Sequence, residues 1–491
     1  MKILFIQTNM NRNLMPLPIG PAMVAAQLKH DGHDLRFVDL MGEADPVLVA
    51  RLAAREMRPD LMCASIRNRD NQSKQKYDDP LPRIREVLTA VQQECAAPLL
   101  LGGTAFTTFP RRMLEYFDAD YGVAGDSLEA VSRFVRSLES HPAAAGIQTT
   151  SQSVISSQSS TDSTKSRLPQ GDVAGSVSTK SRPKGDLDTP GLVFRNSEGE
   201  IIERPFTITG YPRVRHDYHE LIDRKRYRKT YWNAAVITRS GCPELCNYCD
   251  TYRTFGRDFT LRDPADIVDE LLYLKRERST HSVWLVDAGF NRPLDHAKEV
   301  LSEIIRKGAK MRFFGVFDPG QADREFFQLY RRAGGAAFTM FAESLSDPVL
   351  EALGKSFGAA EIFRDAKMIR EEGLGFMFMP TFGSPGETRA SVETTLRLTP
   401  ALKALFVDFG IGWRLQPGTG LQQRAIDEGV ISADDDLWKP TFYISPETPA
   451  EWVEQRIRRF RRRHPLLFIP MIPFSLRMML ERPWNSGPTA L

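Results

Sequence analysis

Residues 242–249 read Cys242-Pro243-Glu244-Leu245-Cys246-Asn247-Tyr248-Cys249. Three of the chain's five cysteines fall in these eight residues, spaced C-x-x-x-C-x-x-C. The stretch follows an apolar run, Ala234-Ala235-Val236-Ile237-Thr238, and a Ser240-Gly241 turn. Thiolates are soft ligands, and in a reducing compartment such a group reads as metal or iron–sulfur binding rather than as disulfides. A structural zinc site or an ordinary iron–sulfur cluster takes four ligands, and this loop supplies three. Cys63 and Cys95 lie far back in a different pattern. A three-cysteine loop at a strand end leaves one metal position open to a substrate. From the triplet alone, a zinc loop completed by a distant histidine or cysteine is the alternative.

Working outward, 491 residues exceed one ordinary core, so two or three domains are expected. A net charge of +3 and 42% hydrophobic residues give no global pointer to nucleic acid. Lys2-Ile3-Leu4-Phe5-Ile6 reads as a buried strand rather than a secretory signal. No apolar run is long enough to span a bilayer. A reducing cytoplasm is the expected location.

Residues 1–140 alternate strands and helices. Strands are expected at Ile3–Ile6, Leu35–Val38, Leu61–Ser65, Leu99–Leu101 and Tyr121–Val123. Helices are expected at Pro21–His30, Pro46–Met57, Leu81–Cys95 and Ser127–Leu138. This pattern predicts a doubly wound, parallel α/β sheet that binds ligands at the carboxyl ends of its strands. Residues 141–190 are rich in Ser, Thr, Gln and Lys and read as a disordered linker. Residues 191–232 read as a connecting segment. Residues 233–432 again alternate, with strands at Ala235–Thr238, Ser282–Val286, Arg312–Val316, Ala337–Ala342, Phe376–Pro380 and Phe406–Arg414. Six βα units predict a partial (β/α)6 barrel with its chemistry at the carboxyl ends of the strands, where Cys242 falls. Residues 433–491 form a C-terminal extension with a small helical region. It carries Arg456, Arg458, Arg459, Arg461, Arg462 and Arg463 ahead of an apolar, Pro-rich run, His464–Phe474. An amphipathic helix capped by an apolar segment that closes the barrel or the domain interface is preferred there over docking on a membrane surface or an anionic partner.

The cysteine spacing, with Tyr248 before the third cysteine, resembles the radical S-adenosylmethionine enzymes. Several stretches resemble that family in order along the barrel: Val286-Asp287-Ala288-Gly289-Phe290-Asn291, Glu343-Ser344 with Gly354-Lys355, Gly383-Ser384-Pro385-Gly386-Glu387-Thr388, and Trp413-Arg414-Leu415-Gln416-Pro417-Gly418-Thr419. The N-terminal half resembles the cobalamin-binding domain that precedes the radical domain in many members. The matching stretches are Pro18-Ile19-Gly20, Gly32-His33 with Asp39, Leu101-Gly102-Gly103-Thr104 and Gly122–Ala130. The resemblance implies that Cys242, Cys246 and Cys249 hold a [4Fe-4S] cluster and that Tyr248, Asp287, Glu343 and Arg414 bind S-adenosylmethionine. It implies cobalamin contacts at Asn9, Ser65, Arg67, Arg69, Gly102, Gly103, Thr104 and Gly125. Arg67 or Arg69 is expected beneath the corrin; the alternative is that both are solvated or pair with Asp70 or Asp78. Asp31-Gly32-His33 superficially matches a cobalt-ligating motif, but it precedes the second strand, so His33 is expected to be structural. Tyr252, Arg253 and Arg257 are further candidate contacts from position alone.

The activity implied is methylation of an unactivated carbon, or of phosphorus, in a small-molecule, lipid or peptide substrate. In the family one S-adenosylmethionine methylates cobalamin and a second yields a 5′-deoxyadenosyl radical that activates the substrate. An electron donor such as flavodoxin or ferredoxin is implied, and nucleic acid is not. Cyclisation or rearrangement without methyl transfer is one alternative, and a cobalamin-binding sensor or electron carrier is another. A methylthiotransferase is disfavoured, because Cys63 and Cys95 are too few to hold a second cluster.

Overall fold

The computed structural model describes residues 1–10, 16–125, 128–140, 185–211, 213–227, 234–280 and 282–468. Most of the Ser/Thr-rich segment expected as a linker, Asp126 and Ser127, and the apolar run after Phe468 lie outside the described residues.

The first sheet is nucleated by apolar runs buried on both faces, as parallel strands require. Strand β1 (Lys2–Gln7) is buried from Ile3 onward. It pairs in parallel with β2 (Asp34–Asp39) and β3 (Leu61–Ser65), followed by β4 (Leu99–Gly102) and β5 (Tyr121–Val123). Helices α2 (Pro46–Met57), α3 (Leu81–Glu94) and α5 (Pro110–Tyr116) cover one face, and α1 (Ile19–His30) and α6 (Leu128–Glu139) the other. Helix α2 starts where the sequence provides for it: the Asp45 side chain accepts from Leu48 N at 2.9 Å and Pro46 occupies the first turn. The order β2-β1-β3-β4-β5 puts the switch of winding beside β1, so the loops after β1 and β3 flank the crevice where such sheets take ligands.

The structure differs from expectation after the linker. Residues 191–232 do more than connect. Strands β6 (Leu192–Arg195) and β7 (Ile201–Glu203) add to β5 as an antiparallel hairpin, so the sheet is mixed rather than wholly parallel. Leu192, Val193 and Phe194 are buried there, and the hairpin covers what would be a bare sheet edge. Farther on, Tyr218, Ile222 and Tyr227 pack against Ala22, Met23 and Ala26 of α1.

The second sheet is parallel and in sequence order: β8 (Ala234–Val236), β11 (Ser282–Leu285), β12 (Arg312–Phe317), β13 (Gly335–Glu343), β14 (Gly375–Phe382) and β15 (Phe406–Val407). Helices α8 (Pro264–Glu277), α9 (Leu294–Arg306), α10 (Arg324–Ala333), α12 (Ala359–Glu371) and α13 (Arg389–Leu402) lie between successive strands. Along β13, Phe338, Met340 and Ala342 enter the core shared with these helices. By alternation, Thr339, Phe341 and Glu343 face the barrel interior. The expected continuous strand Phe406–Arg414 is broken. β15 and β16 (Gly410–Ile411) each pair with β14, whereas β17 (Trp413–Arg414) turns away to pair antiparallel with β18 (Phe442–Tyr443). Helix α15 (Ala450–Arg463) buries Val453, Ile457 and Phe460 in the barrel core, with Leu467 and Phe468 packed on it. The arginine-rich helix therefore packs as the closing helix over its described part. No helix among the described residues is long and apolar enough to cross a membrane.

Candidate active site

The cysteine loop leaves the carboxyl end of β8 and is closed at its base by β9 (Arg239–Ser240) pairing with β10 (Thr260–Leu261). The Asp287 carboxylate accepts from Thr238 N at 2.8 Å, Thr238 Oγ1 at 2.6 Å and Arg239 N at 3.2 Å, which fixes the point of departure. The buried Arg239 guanidinium donates to the carbonyls of Gly241, Gly289 and Arg292. Farther round, Asn247 N donates to Leu353 O at 3.0 Å, beyond α11 (Asp347–Ala352). Leu421 N of α14 (Gly420–Asp427) donates to Asn247 O at 2.8 Å. Gly354 lies at φ +72°, where a Cβ would sit 2.6 Å from the Leu245 carbonyl oxygen, so a bare glycine lets this turn meet the cysteine loop.

All three loop cysteines are free, half-buried thiols. Burial pushes Cys242 up and Cys246 up to about 11. Burial disfavours the bare thiolates, and a bound metal centre would displace the protons and supply the missing positive charge. Among the described residues no three His, Cys, Asp or Glu side chains converge as they would around a single ion. A polynuclear cluster asks instead for one thiolate per iron, and the donor set fits that demand.

Beside the loop lies a buried polar trio. Tyr248 Oη donates to Glu343 Oε1 at 3.0 Å. Lys355 Nζ donates to Tyr248 Oη at 2.8 Å and to Phe341 O at 3.2 Å, and lies 3.5 Å from Glu343 Oε1. Glu343 holds φ at +69°, a conformation non-glycine residues adopt at a cost. Burial pushes Tyr248 well above its ordinary range, with Glu343 adding to the effect. Burial opposes the charge on Lys355, but Glu343 and Cys246 outweigh it and its pKa rises. The Trp413 ring lies 4.2 Å from that of Tyr248, tilted by 46°. Asp318, at the end of β12, is raised by burial, and its carboxylate lies 3.6 Å from Arg292 Nε.

The N-terminal sheet presents its own loops at the carboxyl ends of its strands. Thr8 Oγ1 donates to Ser65 O at 2.7 Å, Thr104 Oγ1 donates to Arg67 O, and Gly125 N donates to Thr107 Oγ1 at 3.0 Å. Gly103 is at φ +99° with a Cβ position 2.5 Å from Ile66 O, so only glycine allows these two loops to touch. Ser65, Arg67, Gly102, Gly103, Thr104 and Gly125 thus gather at one end of the sheet, with Asn9, whose N–H meets the Gln7 side chain, at the end of β1. This half-buried rim at the switch point suits a flat, polar-edged cofactor such as cobalamin. It meets the cysteine loop directly: α4 (Thr104–Thr108) packs on α7 (Thr251–Phe255), and Thr108 Oγ1 donates to Asp250 Oδ2 at 3.4 Å.

The remaining expected residues divide clearly. Arg67 is solvent-accessible yet walled by protein, and desolvation lowers its pKa, as for a cation in a cleft. Arg69 is engaged by Asp79 at 2.8 Å, by Trp438 O at 2.9 Å and by the Trp438 ring at 4.7 Å; its ion-pair partner is neither Asp70 nor Asp78. Arg414 is buried against Asp70 at 2.9 Å and Leu437 O at 3.0 Å, which binds β17 to the loop after β3. Asp287 spends its carboxylate on the end of β8. His33 is buried near the chain's amino group, 3.4 Å away at the opposite ends of the strands, as a structural residue should be. Tyr252 Oη and Arg253 donate to Gly418 O and Pro417 O at 2.9 and 2.5 Å, and Arg257 stacks on Tyr252 at 4.1 Å. Lys355 and Asp318 had no role assigned from the sequence. The Gly354-Lys355 pair was the one available signal for the first, and nothing marked the second.

Residues 236–399 match the model of the Radical SAM superfamily. A tryptophan 2-C-methyltransferase of Streptomyces laurentii is 24% identical over 445 residues, spanning 85% of this chain and 74% of that protein. Among solved structures, the radical S-adenosylmethionine methyltransferase TsrM of Kitasatospora setae, with cobalamin and a [4Fe-4S] cluster bound, superposes with a TM-score of 0.76. It is 19% identical, with 97% of this chain and 94% of that one covered. The cobalamin-dependent radical enzyme OxsB superposes with a TM-score of 0.66 at 11% identity, over 99% and 69% of the two chains. Residues 236–399 thus form a Radical SAM superfamily domain, and over its length the chain has the fold of TsrM and OxsB.

Proposed function

We propose that this chain is a cobalamin-dependent radical S-adenosylmethionine methyltransferase acting on an unactivated carbon, or on phosphorus, of a small-molecule, lipid or peptide substrate. The observation that carries the reading is the direct packing of the cysteine loop's α7 on α4, next to the ligand rim of the N-terminal sheet. A one-electron site and a methyl-carrier site must lie close together to act on one substrate atom, and the α4–α7 packing supports that reading. When bound, the cluster, S-adenosylmethionine and cobalamin supply electron transfer, hydrogen abstraction and a methyl group for a carbon with no electron pair to offer.

The chain's own residues position and exclude. Cys242, Cys246 and Cys249 hold the cluster. Glu343 and Tyr248, fixed by Lys355, present a polar edge for S-adenosylmethionine. Asp287 and Arg239 hold the loop at its strand. Ser65, Gly102, Gly103, Thr104, Gly125 and Asn9 line the cobalamin rim, and Arg67 is the cation offered to the corrin. Asp70 and Arg414 keep the rim registered against the barrel. Phe341, 41% exposed on the inner face of β13, gives the barrel mouth an apolar wall that keeps water from the reacting centre. A flavodoxin or ferredoxin is the electron donor proposed.

The test uses anaerobic, reconstituted protein with S-adenosylmethionine and a strong reductant. 5′-Deoxyadenosine and S-adenosylhomocysteine are measured together, with Cys246→Ala as control. Both products, with 5′-deoxyadenosine lost in the variant, are expected. 5′-Deoxyadenosine alone would move the assignment to cyclisation or rearrangement, and neither product from loaded protein would end it.

A further inference from the structure

We propose that Lys355 is a positioning residue whose fixed charge sets the reduction potential of the cluster on the Cys242–Cys249 loop, making that cluster easier to reduce. The inference rests on the reading of this loop as a cluster site.

The ammonium is held by the Tyr248 hydroxyl at 2.8 Å and the Phe341 carbonyl at 3.2 Å, and its side chain is only 6% exposed. Tyr248 lies between Cys246 and Cys249 in the chain, so the ammonium is anchored to a side chain of the cysteine loop itself. The backbone is tied as well: Asn247 N reaches Leu353 O, and Gly354 meets Leu245 through the missing side chain. Lys355 is therefore not free to follow solvent as a surface lysine would.

A cluster on three thiolates is anionic, and reduction adds another negative charge. In a desolvated site a fixed cation stabilises the reduced form more than the oxidised one. Glu343 offsets part of this field from 3.5 Å. Its carboxylate oxygen also accepts from Tyr248 Oη at 3.0 Å, so it is shared between two donors.

The experiment is an EPR-monitored potentiometric titration of the anaerobically reconstituted full chain, alongside Lys355→Gln and Lys355→Arg, with iron counted per chain. Glutamine keeps an N–H donor for the Tyr248 and Phe341 oxygens without the charge, and arginine keeps the charge. The expected result is a midpoint shifted negative in Lys355→Gln and close to wild type in Lys355→Arg, at equal iron content. An unmoved Lys355→Gln midpoint, or an equal shift in both variants, overturns the proposal. Should Lys355→Gln take up no iron, Glu343→Gln gives the opposite test: its midpoint should move positive, and an unchanged value overturns the proposal. A wild-type chain that holds no cluster removes the cluster reading itself, an outcome distinct from an unchanged potential.

Discussion

Asp287→Ala should remove the footing of the cysteine loop. The carboxylate is 3% exposed and accepts three hydrogen bonds, from Thr238 N, Thr238 Oγ1 and Arg239 N. Alanine leaves two backbone N–H groups without an acceptor, each costing about 1–3 kcal/mol, while the threonine hydroxyl can rotate to another partner. The sum, about 3–5 kcal/mol with the cavity included, is at the upper end for a single substitution. Asp287→Asn retains one acceptor oxygen for Thr238 N and should lose about 1–2 kcal/mol. The assay is urea unfolding followed by tryptophan fluorescence, paired with S-adenosylmethionine titration of the folded, cluster-loaded protein. The expected order of midpoints is wild type, Asn, then Ala, with S-adenosylmethionine affinity retained in Asp287→Asn. An Asp287→Ala protein with the wild-type midpoint and a tenfold weaker S-adenosylmethionine affinity would refute the reasoning and make Asp287 a direct ligand contact.

Gly103→Ala forces a Cβ to 2.5 Å from Ile66 O at φ +99°; bound corrinoid absorbance should fall while iron content holds. Asp70→Ala strands the buried Arg414 guanidinium and should cost about 3–5 kcal/mol, whereas the double replacement Asp70→Leu with Arg414→Met should recover most of it in thermal unfolding. Glu387 is buried and held up to about 7 from an ordinary 4.5, with Oε1 lacking a partner. A carboxyl raised in the folded state binds more protons folded than unfolded between those values. Its contribution therefore falls as pH rises from about 4.5 to about 7 and is flat above, a span of about 3 kcal/mol. Glu387→Gln should remove that slope, so the variant gains on wild type between pH 5 and pH 8 in urea midpoints.

Much of the fold was legible because parallel sheets write themselves as short apolar runs. Ile3–Ile6 and Leu61–Ser65 could hardly be anything else, and Pro46–Met57 carried its own cap in Asp45. The β6–β7 hairpin was not legible, since Leu192–Phe194 follows a long polar segment and its partner, β5, lies about seventy residues earlier. The break after Ile411 escaped for a similar reason: Phe406–Arg414 is mostly apolar with only Asp408 and two glycines to interrupt it, and the pairing of Trp413 with Tyr443 shows that it changes sheets. In the site, the cysteine triplet stood out by its spacing, and only the motifs that follow it along the barrel weighed against a zinc loop. Asp287 and Arg414 were noticed for their positions, but their hydrogen bonds are made with Thr238 and Asp70, contacts that a motif cannot display. Lys355 escaped because a lysine near a turn reads as solvated, and its burial comes from Tyr248 more than a hundred residues away.

The central claim is that two cofactor sites, one on the cysteine loop and one on the rim of the N-terminal sheet, are built by separate residues and face each other. Anaerobic reconstitution with iron, sulfide and hydroxocobalamin, followed by metal analysis, tests it most directly. Wild type should hold about four iron atoms and one cobalt per chain. Cys246→Ala should lose iron and keep cobalt, and Gly103→Ala should lose cobalt and keep iron. A chain that retains no cobalt, or that carries a single zinc in place of iron, would contradict the account.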